Sequence, residues 1–140
     1  MATELTNHYL FQLMSGSIDW ANDTFSCLLM DTSFSFNRDT HATLADVVAN
    51  EISSTGGYAR DELIVTGVTE NDTDNTCDVA VDDLAWTPSG ADYDDTVGVI
   101  VFDDTSADDT VVGFIDFGVV ETPEDLITFQ VTGLDIRLGG

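Results

Sequence analysis

Carboxylates carry most of the chemistry this chain could do. The tripeptide Asp-Asp-Thr occurs three times in "DDTVGVIVFDDTSADDTVVGFIDFG", at Asp94, Asp103 and Asp108. Clustered acids can hold a hard cation, and calcium takes six to eight oxygens, often from Asp at alternate loop positions. "DDTSADDT" could wrap an ion with Asp103, Asp104, Asp108 and Asp109. Adjacent acids in a hairpin loop more often point apart into water, so the expectation is no metal site. "NDTDNTCDVAVDD" offers Asp72, Asp74 and Asp78, but it lacks the glycine and the closing glutamate of an EF-hand loop. Two acids about 5 to 9 Å apart across a cleft could hydrolyse a glycoside. With 27 acids, such pairs arise by chance. Asp116 stands out because it interrupts the apolar run "GFIDFG", on the same strand face as Phe114. The expectation is that this face meets solvent or a neighbouring subunit.

Other chemistries find little support. His8 falls in a helical stretch and His41 in a Thr-rich loop, and no serine or cysteine has a nucleophile-elbow context. There is no Gly-rich phosphate loop and no zinc spacing. Trp20 and Trp86 could form a sugar platform, although a Trp after an apolar strand is more often core or interface. Cys27 sits in the apolar run "TFSCLLM" and reads as a buried reduced thiol, while pairing with Cys77 stays open. The expectation is therefore no catalytic residue, no cofactor and no enzyme activity.

Charge sets the surroundings in which these residues work. There are 27 acids, 21 of them Asp, against three basic residues, for a net −24; Arg38, Arg60 and Arg137 are the only bases and lysine is absent. So much like charge strains a compact state at ordinary ionic strength. In molar salt the Debye length falls to about 3 Å and most of that repulsion is screened. Acids spread along the whole chain, with no long ammonium-tipped side chains, read as adaptation to extreme salt. A calcium-loaded extracellular protein is the alternative. Three scattered arginines cannot form the basic stripe that nucleic acid requires, and an anionic membrane surface is disfavoured for the same reason. "MATELTNHYLFQLMSG" has no basic segment ahead of an apolar one, and no apolar run approaches the roughly 20 residues of a membrane span. These features predict a protein made and kept in the cytoplasm, or carried out in a particle.

The elements that would position these residues are mostly strands. Leu5, Tyr9, Leu10, Leu13 and Met14 recur at helical spacing, with Thr3 as candidate N-cap and Gly16 as terminator. Strands are predicted over residues 24–30, 34–36, 63–68, 77–81 and 84–86, with Pro88 closing the last. "DTHATLADVVANEI" fits either a helical turn or an extended segment. "TVGVIVF" and "TVVGFIDF" read as a pair joined by "DDTSADD". "LITFQVTGLDIRL" alternates like one strand with a bulge or bend at Gly133. Hydrophobic residues make up 43% of 140 residues, enough for one core. The expected architecture is one domain over residues 1–140: a mainly β, antiparallel β-sandwich or jelly-roll-like fold with one N-terminal helix.

An ordered series of short segments adds a family likeness. "LMSGSIDW" is followed by "DTFSCLLMDTSFSF", "DTHATLADV", "NEI", "GGYA", "DDLAWT", "VGVIVFDDT" and "VVGFIDFG". In this order the chain resembles a family of small virion-associated proteins of tailed phages, over Leu13 to Gly118. Family members often carry basic residues in the first helix and near the "DT" turns, where this chain is neutral or acidic. That difference fits a haloarchaeal host. The resemblance implies a structural component of a tailed virus particle, located in the virion. A capsid decoration or turret protein is the first reading, with homo-oligomerisation and contact to the major capsid protein or other virion proteins. A tail or baseplate component, or a module binding host surface glycan, are the alternatives. It transfers no catalytic residue.

Overall fold

The computed structural model describes residues 1–139. Its centre is a five-stranded antiparallel sheet. The strands are β1 (Glu4–Leu5), β2 (Phe25–Met30), β3 (Asp61–Leu63), β7 (Thr96–Asp103) and β8 (Val111–Glu121), in the order β1-β8-β7-β2-β3. β2 and β7 are apolar on successive residues because both faces of this sheet are covered. Cys27, Leu29, Val99 and Val101 face one buried cluster, and Leu28, Met30, Ile100 and Phe102 face another.

Different elements cover the two faces. On the first lie Tyr9 and Trp20. They are joined by Val79 and Ile136 from a three-stranded sheet, and by Leu84, Trp86 and Val131 from a two-stranded ribbon. The three-stranded sheet has the order β10-β5-β4, with β4 (Val65–Asn71), β5 (Thr76–Val81) and β10 (Ile136–Gly139). β6 (Leu84–Trp86) pairs with β9 (Phe129–Val131) to form the ribbon. The second face is closed by Phe34, Phe36, Leu44 and Val47.

The N-terminal helix α1 (Asn7–Met14) starts later than expected. Its cap is Thr6, not Thr3, and Leu5 lies in β1 opposite Gly113. The buried Thr6 hydroxyl accepts from Tyr9 N at 3.0 Å and donates to Val111 O at 2.6 Å. One side chain thus caps the helix and ties it to β8. Gly16 ends the helix as expected, with φ +83.

Two further readings change and an open one is decided. "FSF" is no strand: Phe34 N donates to Asp31 O and Ser33 N to the Asp31 carboxylate, so the chain turns here. The ambiguous 39–52 stretch holds a short helix, α2 (Leu44–Val47), followed by a 3-10 turn at Val48–Asn50. The Asp46 carboxylate accepts from Thr43 N at 2.9 Å and Ala42 N at 3.1 Å, which fixes where α2 begins. The 126–138 stretch is two strands in two different sheets, with Gly133 (φ +65) at the bend between them.

β7 and β8 form the predicted pair, with one large irregularity. Gly98 opposes Asp116 and Thr96 opposes Glu121, so residues 117–120 of β8 face Val97 alone. This bulge carries Val119 and Val120 outward, 60% and 55% exposed.

Candidate functional site

The three Asp-Asp-Thr copies diverge, and each is used in construction. In the first, Asp94 Oδ2 accepts from Ser53 N at 2.8 Å, Asp95 accepts from the Thr122 hydroxyl, and buried Thr96 donates to Met30 O at 2.8 Å. In the second, Asp103 Oδ1 accepts from Thr105 N at 2.9 Å and Ser106 N at 3.2 Å, closing the hairpin turn. Thr105 Oγ1 accepts from Thr24 N at 2.8 Å, and Asp104 N donates to Thr24 O at 2.9 Å. In the third, Asp108 Oδ2 lies 2.8 Å from His8 Nε2, and its Oδ1 accepts from the Thr110 hydroxyl. Asp109 takes the left-handed conformation, φ +51.

Asp103 and Asp108 are thus held by different partners within the loop. Asp74 and Asp78 are likewise engaged locally, with Asn71, Thr76 and Arg137. Among the described residues, no three His, Cys, Asp or Glu side chains converge as metal ligands would.

Two acids of the hairpin loop differ sharply in character. Burial works against the charge on Asp108, yet the hydrogen bonds from Thr110 and His8 hold its carboxyl below the ordinary value. Asp103 goes the other way, pushed up to about 7 by burial and by the Asp23 carboxylate.

Trp20 stacks on Phe25 with ring centroids 3.9 Å apart and donates to the Tyr9 hydroxyl at 2.9 Å. Trp86 donates to Ala59 O at 2.9 Å. Both indoles are buried, so neither presents a flat face to a sugar. Cys27 is buried and Cys77 exposed; both are free thiols, and burial pushes the Cys27 thiol up. His41 Nδ1 accepts from Asn37 N at 3.1 Å and its ring stacks on Phe34. Among the described residues no helix is long and apolar enough to cross a membrane.

Asp116 is exposed, and its Oδ1 accepts from Gly118 N at 2.8 Å. That bond shapes the bulge, since Gly118 adopts φ +74 there. Beside it lies a groove of about 460 Å³. Phe34, Phe36, Val97, Phe114, Val119 and Val120 line it, and Glu4 and Asp116 bring carboxylates to it. Phe34 and Phe36 both pack on the Phe114 ring, at 5.1 and 5.6 Å. Sequence reasoning found Asp116 and Phe114 on one face but missed this groove. "FSF" read as a strand, and Val119 and Val120 lay beyond the expected strand end. The signal that could have found it is the Asp-x-Gly turn followed by two valines. No family model, no curated protein and no solved structure matches the chain.

Proposed function

We propose that the chain is a non-enzymatic structural protein that works by contact, self-associating through the groove and the β8 bulge. The observation that carries this reading is the pairing of a projecting apolar knob, Val119 and Val120, with an adjacent aromatic-floored groove. A two-fold contact needs a patch that is complementary to itself, and a knob beside a hole meets that requirement. On a molecule of charge −24, exposed valines beside an aromatic floor are a costly feature unless something covers them. The acids at the groove, Glu4 and Asp116, would meet their own copies across such a contact, so association belongs to high salt.

The setting is the particle of a tailed virus with a haloarchaeal host, first as capsid decoration or turret protein and otherwise as tail or baseplate component. Support comes from the resemblance of the ordered segments to virion-associated proteins. The three-stranded sheet sharing a buried cluster with the central sheet is compatible with the sandwich-like fold expected for such a role. Quantitative mass spectrometry of purified particles tests it. Hundreds of copies per particle support decoration, and about six or twelve copies, matching tail symmetry, support the tail. Absence from particles overturns the viral reading.

A further inference from the structure

Two of the three arginines are engaged within the fold. Arg60 holds Glu51 through bonds of 2.9 and 2.8 Å. Arg137 holds Asp135 at 2.7 Å, with Asp78 at 3.7 Å. Arg38 forms no ion pair among the described residues, although 27 acids share the chain with it. Its side chain is exposed, and its carbonyl oxygen serves the fold by accepting from Asn7 N at 3.0 Å. The adjacent Asp39 is engaged elsewhere, since its carboxylate accepts from the Asn7 side-chain amide.

The place of Arg38 matters more than its freedom. Its loop runs from Phe34 and Phe36, which line the groove, to the Asn7 N–H just past β1. β1 is the edge strand of the central sheet and carries Glu4, an exposed acid at the same groove. Glu4 precedes Asn7 by three residues of extended chain, so Arg38 and Glu4 leave the main chain about 10 Å apart along one edge. One exposed base and one exposed acid thus flank the groove, and they do not pair within a copy.

A two-fold contact sets residue i against j of the partner and j against i. A patch that holds one base and one acid is therefore complementary to itself, as a knob beside a groove is. We propose that Arg38 of each copy pairs with Glu4 of the other, and that these two ion pairs fix the register in which the copies meet. This rests on the groove contact proposed above, and it makes a second copy of this chain the occupant. Arginine suits the task, because its planar fork binds a carboxylate through two parallel bonds. Asp116 has no base opposite it, so each copy brings two acids against one base. The contact stays net negative and keeps its need for salt.

The test is the dimer dissociation constant, from sedimentation equilibrium at the lowest potassium chloride concentration at which the wild-type chain associates. Circular dichroism in the same buffer checks that each variant is folded. Arg38→Glu should weaken association about tenfold or more, since each change counts twice in a two-fold contact. Arg137→Glu makes the same change in net charge on β10, which packs on the other face of the central sheet from the groove. It should weaken association far less. The exchange Arg38→Glu/Glu4→Arg keeps the wild-type net charge and should return the constant to within about threefold of wild type. A loss in Arg38→Glu no larger than in Arg137→Glu overturns the pairing. So does an exchange variant as weak as Arg38→Glu alone. Both outcomes leave the groove contact standing, whereas a wild type that is monomeric in molar salt overturns the groove and the pairing together.

Discussion

Single residues here do opposite things with the same chemical group. Asp103 is raised to about 7, so between about pH 4 and pH 7 the folded chain binds more protons than the unfolded one. Its contribution to stability is full below the ordinary carboxyl value and is lost as pH rises through about 7. Asp19, Asp78, Asp94 and Asp108 are lowered, chiefly by hydrogen bonds, so their contribution is present above the ordinary value and lost as pH falls below it. In molar potassium chloride, urea titrations should therefore find greatest stability near about pH 5, falling on both sides. A monotonic rise to pH 8 would contradict the assignment of Asp103. The cysteines make a second residue-scale prediction. One thiol, Cys77, should react with a thiol reagent in the folded chain, and Cys27 only on unfolding. Two fast equivalents would mean Cys27 is not packed beneath the sheet.

At the scale of elements, packing explains both what could be read in advance and what could not. The β7–β8 hairpin was legible because its apolar runs are bounded by acidic turn residues, and a sheet covered on both faces demands such runs. Helix α1 was legible from periodicity, but its cap was not. Thr3 and Thr6 are equivalent as types, and only the pairing of Leu5 with Gly113 decides between them. Phe34 and Phe36 misled because alternation looks the same in a strand and in a loop laid over an aromatic floor. Of the candidate site, Asp116 and Phe114 were legible and the bulge was not, because it depends on the register between β7 and β8. Two substitutions probe these joints. A methyl on Gly98 would lie 2.4 Å from the Ile115 carbonyl oxygen and from the Phe114 ring. Gly98→Ala should therefore cost about 2 kcal/mol by overpacking. Thr6→Ala removes the cap and the bond to Val111, and should cost about 1 to 2 kcal/mol. Both are measured by denaturant titration in molar salt, and an unchanged midpoint for either contradicts the packing described.

The molecule as a whole is governed by its charge. Twenty-seven acids against three arginines make low salt destabilising, and the Arg60–Glu51 and Arg137–Asp135 pairs offset little of that. Removing salt should weaken the folded state, and micromolar calcium should not restore it, since no three acids converge as calcium ligands would among the described residues. Rescue by calcium alone would contradict that geometry. The same screening governs association, because the proposed contact brings Glu4 and Asp116 of two copies together. Sedimentation velocity in molar potassium chloride, on the wild type beside a Val119→Asp/Val120→Asp double variant, is the direct test of this contact. The wild type should form an oligomer that dissociates as salt is lowered, and the variant should stay monomeric in high salt while remaining folded. A wild type that is monomeric at every salt and protein concentration, or a variant that associates as the wild type does, would contradict it.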